Sequence, residues 1–474
     1  MSSIEKGAFH LLVSKAVFFL SGYALVFILG RWFLTTEEFG LFGVVFTINS
    51  LVTNILITGI QQAVAKFVSE APEKAEIILR QSLKTQLFFS IAMFIGFFLS
   101  ADLIAGLLNE PRLALYFRIV AFVPLIQPFY SAMGGYLNGL KKFREQAGFY
   151  NLYRILRAGI PISMAAAGFA LFGVFTGLVF AALASLLVGI FSIGTGKSGD
   201  FSKKKIFLFS APIIFYALIL NSFMSIDLLF LKALTQGANS NVLAGFYTAA
   251  QTVARVPFEL AMTITMILFP LVSGTVAAQK KQKAAFYISS AYRYTFIAVA
   301  PFAVMFFTTA HELLSLVYGQ KFLEAGSTLG ILSLGFVFMA LFSISETIIS
   351  ARGSPSKAAL IAFSFLIAEA ALLYLLVPLF SMEGAAFASL AAMALGAIVS
   401  SAVVFAQFRS FPFRSIAKTC IACIIIFLAS VLFPASGMLL IPKYLLLTAI
   451  FLGAMFLLKE IKNQDMRIFL KMVS

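Results

Sequence analysis

Charged residues are scarce in this chain, and their scarcity excludes a soluble protein. Only 11% of the 474 residues are Asp, Glu, Lys or Arg, and 61% are hydrophobic, whereas a soluble domain carries about 25% charged residues. So few charges cannot cover the roughly three soluble domains that this length would otherwise predict. The composition instead predicts an all-α polytopic protein whose solvent is the lipid bilayer.

Acidic residues are the scarcer of the two signs, with 19 Asp and Glu against 35 Lys and Arg and a formal net charge of +16. In a soluble protein this excess would suggest a nucleic-acid partner. In a membrane protein it is explained by basic loops that stay in the cytoplasm. We therefore expect no nucleic-acid partner.

Cysteine and histidine are too few for a disulfide framework, a metal centre or a catalytic dyad. Cys420 and Cys423 form a C-x-x-C pattern, which a redox or metal site would also show, but no further Cys or His lies near them in the sequence. Free cysteine packs as a small hydrophobic residue. His10 and His311 each lie alone at the end of an apolar stretch. The sequence therefore predicts no metal and no cofactor.

Enzymatic motifs are also missing. Residues 194–198 (Gly-Thr-Gly-Lys-Ser) look like the end of a P-loop, but that motif requires glycine at position 191, where the chain has Phe191. The loops between the apolar stretches are short, whereas a membrane glycosyltransferase would usually carry a sizeable soluble loop with carboxylates. We therefore expect that the protein is not an enzyme.

Apolar stretches of about 20 residues, enough to cross a bilayer as a helix, follow one another along the chain. The first runs past Gly30 without a small-residue cleavage site, so we interpret it as a span and not as a signal peptide. Cutting at polar clusters predicts fourteen spans: 11–34, 39–64, 82–107, 113–138, 149–168, 172–195, 206–233, 243–270, 286–309, 325–350, 358–378, 384–407, 418–433 and 441–458.

The basic residues of the predicted loops alternate strictly between the two sides. With the N-terminus inside, the cytoplasmic segments hold 23 Lys and Arg, and the outer loops hold three, which are Arg112, Lys321 and Lys443. This asymmetry predicts a protein of the cytoplasmic membrane with both termini in the cytoplasm.

Three glycine-containing segments recur at a nearly constant offset. Residues 39–42, 137–139 and 172–174 match 244–247, 351–353 and 383–385, with the paired glycines 205, 214 and 211 residues apart. The repetition predicts two parallel six-helix bundles, over 1–195 and 206–407, followed by two additional spans and a cytoplasmic tail over 418–474. Many transporters with such repeats place one site between two halves.

Charged residues within or at the ends of the predicted spans are the strongest functional signal. Each costs about 2.5–3.5 kcal/mol at a helix centre, so such residues normally face protein or a wet cavity. The basic ones are Lys15, Arg31, Lys84, Arg118, Arg154, Arg157, Lys232, Arg255 and Arg293, and the acidic ones are Asp227, Glu259, Glu346 and Glu369. The cationic excess predicts a cavity that attracts a polyanion such as a lipid pyrophosphate.

Arginine suits such a ligand because its planar guanidinium binds phosphate bidentately. Arg255 lies about 18 Å into its span, at 1.5 Å per residue, and is too deep to reach the membrane surface. An ion pair with Glu259, four residues further on, is the alternative for Arg255, and snorkelling to the surface is the alternative for the shallower residues. The candidate binding residues are Arg255, Arg31, Arg118, Arg154 and Arg293.

Uncharged polar and acidic residues predict two further roles. Asn49, Asn54 and Gln61 in the second span form a polar face that suits sugar hydroxyls, with hydrogen bonding between helices as the alternative. The acidic candidates for coupling to H⁺ or Na⁺ are Asp227, Glu259 and Glu369. Asp227 and Glu369 could instead pair with other cations.

A series of motifs runs in a fixed order through nearly the whole chain. They are Gly30-Arg31, Phe39-Gly40, Asp227, residues 244–250, Phe269-Pro270, residues 318–325 and residues 351–353. Their order and spacing resemble the polysaccharide (O-antigen, Wzx-type) flippase family of the multidrug/oligosaccharidyl-lipid/polysaccharide exporter superfamily. The resemblance implies fourteen helices, alternating access and a cavity to which Arg31, Asn54, Asp227 and Arg255 contribute. It also implies that the last two spans form a groove for a lipid tail.

These observations predict a flippase that moves a lipid-pyrophosphate-linked oligosaccharide to the outer leaflet for surface-glycan biosynthesis. Its expected partners are that substrate, membrane lipid, H⁺ or Na⁺, and glycan-assembly enzymes. One alternative is a cation- or proton-coupled antiporter of small molecules or drugs. The acidic residue that drug-extruding relatives carry in their first span has no counterpart here, which disfavours this alternative. A membrane glycan polymerase or ligase is the second alternative.

Overall fold

The computed structural model describes residues 3–235, 237 and 239–460, with side chains from Ser14 onward except at 263–267, 270 and 277. Every regular element in these residues is a helix, which confirms the predicted all-α class. Contacts divide the chain into two compact units. The first is built from residues up to Ser225 together with 236–245, and the second from 226–235 together with the residues from Phe246 onward.

The helices of the first unit are α1 (Ser3–Ile28), α2 (Thr36–Glu70), α3 (Ala75–Leu99), α4 (Ala101–Leu107), α5 (Leu113–Val120), α6 (Phe122–Gly139), α7 (Phe143–Met164), α8 (Ala170–Ile193) and α9 (Lys203–Phe223). Two π-helical segments, Leu29–Phe33 and Ala165–Phe169, follow α1 and α7. The helix α2 packs against α3, α6 and α9, and α7 packs against α1 and α8.

The second unit begins with α10 (Ile226–Leu234) and continues with α11 (Ser240–Ala261), whose first residues, up to Gly245, belong to the first unit. Its other helices are α12 (Thr263–Ala277), α13 (Lys281–Thr308), α14 (Ala310–Tyr318), α15 (Gly326–Ala351), α16 (Pro355–Phe408), α17 (Phe413–Leu432) and α18 (Leu440–Leu457). The helix α15 packs against α13 and α16, and α17 packs against α13 and α18. The predicted tail beyond Glu460 lies outside the described residues.

Eleven helices in the described part of the chain are long and apolar enough to cross a membrane, as a multi-pass membrane protein requires. The two longest, at 143–193 and 355–408, each contain residues with non-helical backbone angles. These are Gly168 (φ 91°) and Ala170 (φ 43°) in the first and Ser381 (φ 52°) in the second. Both positions coincide with predicted turns between spans, so each long helix supplies two of the predicted spans. The total of fourteen stays a prediction, as do the bundle boundaries.

Four predicted spans differ from the structure because each is interrupted within its length. Breaks at Ser100, Ala121, 224–225 and Met262 divide the predicted spans 82–107, 113–138, 206–233 and 243–270 into two helices each. Proline explains the break at Ala121: Pro124 has no N–H to donate, and its ring clashes with the carbonyl four residues earlier. No proline lies within three residues of the other three breaks, and the few polar residues beside them, such as Ser100 and Ser225, do not by themselves predict a break.

The glycines of the first sequence repeat, Gly40 and Gly245, contact each other's helices within the first unit. A Cβ atom added to Gly40 would lie 1.9 Å from the carbonyl oxygen of Asn241, and one added to Gly245 would lie 2.1 Å from that of Thr36. No side chain fits at these distances. The two positions therefore require glycine because the backbones of α2 and of the start of α11 touch there.

Candidate functional site

Asp227 lies at a break between two helices of the membrane region. The helix α9 ends at Phe223, and α10 begins at Ile226, so Asp227 occupies the first turn of α10. Its carboxylate is 1% exposed, and its Oδ1 accepts a hydrogen bond of 2.8 Å from the backbone N–H of Leu228. The unpaired N–H groups and the positive dipole end of a helix start stabilise a negative charge at this position.

Two side chains on one face of α11 hold the same carboxylate. The hydroxyl of Tyr247 donates to Oδ2 at 2.6 Å, and the amide of Gln251 lies 2.9 and 2.8 Å from Oδ1 and Oδ2. Tyr247 and Gln251 are four residues apart, so they project from the same side of the helix. A proton or cation that neutralises Asp227 would therefore change the hydrogen bonds that α11 makes to it.

A second buried carboxylate, Glu369 on α16, is joined to Asp227 through a single hydroxyl. Ser389 Oγ lies 2.8 Å from Glu369 Oε1 and 3.3 Å from Asp227 Oδ2. Glu369 is fully buried, and its Oε2 accepts no hydrogen bond from the described residues. Glu369 and Ser389 lie on opposite sides of the non-helical Ser381, and this interruption lets the two halves of α16 come together.

We call Asp227, Tyr247, Gln251, Glu369 and Ser389 the buried acid site. Two carboxylates this close repel each other when both are charged, and burial strengthens the repulsion. A proton or a monovalent cation would relieve it, and carboxylate and hydroxyl oxygens suit either ligand. No cluster of three or more His, Cys, Asp or Glu that could hold a metal ion occurs in the described residues.

Arg255 and Glu259 follow the buried acid site along α11, one and two turns beyond Gln251. Both residues are half-buried. The guanidinium carbon of Arg255 lies 5.8 Å from the ring centroid of Phe336 on α15, and its charge acts on Asp227. The candidate anion ligand and the two donors to Asp227 therefore share one helix.

Two candidate arginines lie in the first unit. Arg31, in the π-helical segment after α1, has its guanidinium carbon 5.5 Å from the ring centroid of Trp32. Arg154 on α7 donates to the backbone carbonyl of Ser14 and, at 2.6 Å, to the Ser14 hydroxyl. Its guanidinium also lies over the rings of Phe18 and Tyr150. These neutral oxygens and aromatic faces leave the guanidinium of Arg154 with its full charge.

The other two candidate arginines pair with carboxylates. Arg118 contacts Asp102 at 2.5 Å, and both side chains are exposed. Arg293 on α13 donates to Glu460 Oε1 at 2.6 Å, and Lys418 and Ser415 on α17 contact the same carboxyl group. Burial opposes ionisation of Glu460, but these three partners outweigh it and lower its pKa. These contacts fit a packing role, and the role of both arginines in binding stays a prediction.

The polar face of α2 is partly used inside the first unit. Gln61 donates to the hydroxyl of Tyr150 at 2.8 Å and accepts from Ser131 at 2.7 Å, which fits hydrogen bonding between helices. Asn54 donates to Asn221 on α9 at 3.3 Å. The amide oxygen of Asn49 is buried and accepts no hydrogen bond from the described residues. Asn49 therefore has an unused acceptor in the described residues.

A charged network that sequence analysis missed lies between the ends of α2, α4 and α11. Arg112 contacts Glu110 at 2.8 Å and Glu37 at 2.5 Å, and Asn241 donates to Glu110 at 2.6 Å. The hydrogen bond from Arg112, helped by that from Asn241, outweighs the effect of burial and lowers the pKa of Glu110 to about 2. The hydrogen bonds from Arg112 to Glu110 and Glu37 raise the pKa of Arg112.

This network predicts a specific dependence of stability on pH. Folding lowers the pKa of Glu110. Its contribution to the free energy of unfolding is therefore fully present above the ordinary pKa of about 4.3 and is lost as the pH falls through about 2. Glu110→Gln should lower the melting temperature at pH 7 by on the order of 2 °C, and by less at pH 3. Thermal unfolding in detergent measures this difference. The exposed Glu73→Gln is the control, and an equal effect of both variants would contradict the prediction.

The residues of the buried acid site that sequence analysis missed are all uncharged. Tyr247 and Gln251 carry a weak signal, their spacing of four residues on a helix that also bears Arg255. Ser389 carries none, because single serines are frequent in membrane helices. The structure therefore brings two of the three predicted coupling residues together, Asp227 and Glu369, through groups that the sequence did not distinguish.

Comparison with known proteins identifies the family of this chain. A family model described as "Polysaccharide biosynthesis protein" matches residues 28–327. The succinoglycan biosynthesis transport protein ExoT of Rhizobium meliloti is 24% identical over 326 residues, which are 68% of this chain and 64% of that protein. Alignments with curated relatives thus span less than two thirds of their lengths, 30% and 64%.

Two solved structures are similar in fold. The lipid II flippase MurJ in an inward closed conformation has a TM-score of 0.77 at 14% identity, over 94% of this chain and 97% of MurJ. An inward-facing multidrug resistance MATE family transporter of the MOP superfamily has a TM-score of 0.68 at 16% identity, over 86% and 98%. At this identity the likeness concerns the fold, which is that of membrane transporters.

Proposed function

Because the chain belongs to the polysaccharide biosynthesis protein family, we propose that it is a flippase for a lipid-pyrophosphate-linked oligosaccharide. It moves the substrate from the cytoplasmic to the outer leaflet of the cytoplasmic membrane by alternating access. Both termini lie in the cytoplasm, and neighbouring glycan-assembly enzymes supply and consume the substrate. No covalent bond forms or breaks. The similarity to a succinoglycan transport protein and to a lipid II flippase supports this substrate class.

The observation that carries the proposal is the arrangement of α11. One helix bears Arg255, which is suited to a pyrophosphate, and Tyr247 and Gln251, which hold Asp227. A change in the charge of Asp227 therefore acts on the helix that binds the substrate. Arg255 binds the pyrophosphate in this proposal. In the first unit, Arg31 and Arg154 are further candidates for the anion, and Asn49 and Asn54 are candidates for sugar hydroxyls. We leave Arg118 and Arg293 out because each pairs with a carboxylate.

The buried acid site couples transport to an ion. Asp227 and Glu369 share a proton or Na⁺ across the hydroxyl of Ser389, and binding or release of that ion changes the hydrogen bonds from α11. The membrane potential adds about 2.3 kcal/mol per charge for each 100 mV. An inside-negative potential drives an anionic substrate outward, so its sign is favourable.

A second candidate function is the antiport of a small molecule or drug. The buried acid site and the likeness to a multidrug resistance transporter support it, because an ion-exchanging acidic pair serves either substrate. Both functions use the same fold and differ in the ligand of the cationic residues. A drug antiporter would exchange free solutes and would not require a lipid-linked substrate.

Vesicles reconstituted with purified protein separate the two functions. We expect the wild-type protein to move a fluorescently labelled lipid-linked oligosaccharide between leaflets faster than protein-free vesicles do. We expect no transport of a free cationic dye. Transport of the dye without movement of the lipid-linked oligosaccharide would favour the antiporter, and transport of neither would contradict both proposals.

A further inference from the structure

Glu346 on α15 is a buried carboxyl group outside the buried acid site. It is 1% exposed and lies five residues before the end of its helix, Ala351. At 1.5 Å per residue it is about 8 Å from that end, which a glutamate side chain cannot span. Its environment is protein, because Ile344, Ile348 and Ile349 around it on α15 are fully buried.

Neither oxygen of this carboxyl group has a hydrogen-bond partner in the described residues. The other buried carboxyl groups differ in this respect: Asp227 accepts from Tyr247 and Gln251, and Glu110 accepts from Arg112 and Asn241. An ionised carboxylate can accept about four hydrogen bonds, and its burial is costly without donors or a paired cation. Glu346 therefore has the surroundings of a neutral carboxylic acid.

No cation pairs with Glu346 in the described residues: Arg293 on α13 pairs with Glu460, and Lys357 is exposed at the start of α16. The same helices supply hydroxyl groups. Tyr292 on α13 lies 2.6 Å from Ser345 Oγ, which lies 3.2 Å from the hydroxyl of Ser401 on α16. Tyr292 is a titratable group of α13 that lies within electrostatic range of Glu346. The helix α12 contains no titratable residue, and on α16 the carboxyl group of Glu369 is engaged with Ser389. No salt bridge to Glu346 forms within the described residues.

From this geometry we propose that Glu346 is a second proton-binding site, separate from the buried acid site, which exchanges its proton during the transport cycle. The proton exchange depends on the proposed function as a transporter, but the binding of a proton by Glu346 does not. A proton suits this site because it neutralises the buried carboxylate without requiring further oxygen ligands. The conformation described here holds the proton, and the proton leaves when α15 becomes accessible to water.

Infrared difference spectroscopy on protein in lipid vesicles tests the bound proton. At pH 7 we expect a carboxylic-acid C=O band that is lost in Glu346→Gln and shifted in Glu346→Asp, which keeps the carboxyl group. The exposed Glu324→Gln is the matched control and should keep the band. If folded Glu346→Gln loses no carboxylic-acid band, Glu346 is ionised and the proposal is overturned.

The pH dependence of flipping tests the exchange. We expect wild-type flipping to change between pH 6 and pH 8, and Glu346→Gln, a permanent neutral mimic, to lose most of that change. An unchanged profile in Glu346→Gln, together with loss of its infrared band, would overturn the exchange. If the wild-type protein moves no lipid-linked oligosaccharide, the flippase proposal fails, and the infrared result still decides whether Glu346 holds a proton.

Discussion

Arg255→Ala is expected to slow the flipping of a lipid-linked oligosaccharide by at least about 30-fold. Removing one partner of a desolvated charge pair costs about 2 kcal/mol or more, and each 1.4 kcal/mol is a factor of ten. Arg255→Lys should retain part of the rate, because lysine keeps the charge but loses the bidentate geometry. The rate is measured in reconstituted vesicles at equal protein content.

Arg118→Ala is the matched control for this prediction. It makes the same chemical change at an arginine that is exposed and paired with Asp102, where an ion pair contributes about 0–1 kcal/mol. We expect its rate to stay within about twofold of the wild type. If Arg255→Ala flips the substrate at the wild-type rate and reaches normal membrane levels, Arg255 does not bind the anion.

Asp227→Asn is expected to abolish the stimulation of flipping by an ion gradient. Asparagine keeps the size of the side chain but removes the charge that binds the ion. Hydrogen bonds to charged groups contribute about 1.5–3 kcal/mol, so the affinity for the ion should fall by about 10-fold or more. Tyr247→Phe removes only the 2.6 Å hydrogen bond to Oδ2 and should have a smaller effect in the same direction.

Asp102→Asn carries the same substitution at an exposed aspartate and serves as the control. The measurement compares flipping with and without a proton or Na⁺ gradient, one ion at a time, which also identifies the ion. Equal stimulation of Asp227→Asn and the wild type would show that the buried acid site does not couple transport to the ion. In that case the acidic pair would have a packing role, and the membrane potential would remain as the driving force.

The helical membrane fold could be predicted from the sequence because it depends on local composition. The turn at Gly168 and the turn at 378–384 were both placed correctly, since glycine and polar residues interrupt the apolar sequence there. The breaks at Ser100 and Met262 could not be placed, because the few polar residues beside them do not distinguish a broken helix from a continuous span. Only tertiary packing distinguishes a broken helix from a continuous one at such positions.

The candidate site could be predicted only in part. Asp227 and Glu369 each stand out because a charge in a membrane helix is costly. Ser389 connects them, but it lies 162 residues from Asp227 and 20 residues from Glu369 in the sequence, so only the tertiary fold brings the three together. Arg118 and Arg293 also stand out as charges, but their partners, Asp102 and Glu460, become visible only in three dimensions.

Our proposal is that this protein uses an ion gradient to move a lipid-linked anion. Its most direct test is flipping against a concentration difference in vesicles that carry an imposed proton or Na⁺ gradient. We expect the labelled lipid-linked oligosaccharide to accumulate in one leaflet while the gradient lasts and to equalise between the leaflets when an ionophore removes the gradient. Equal distribution between the leaflets with the gradient in place would show that the protein does not couple transport to the ion.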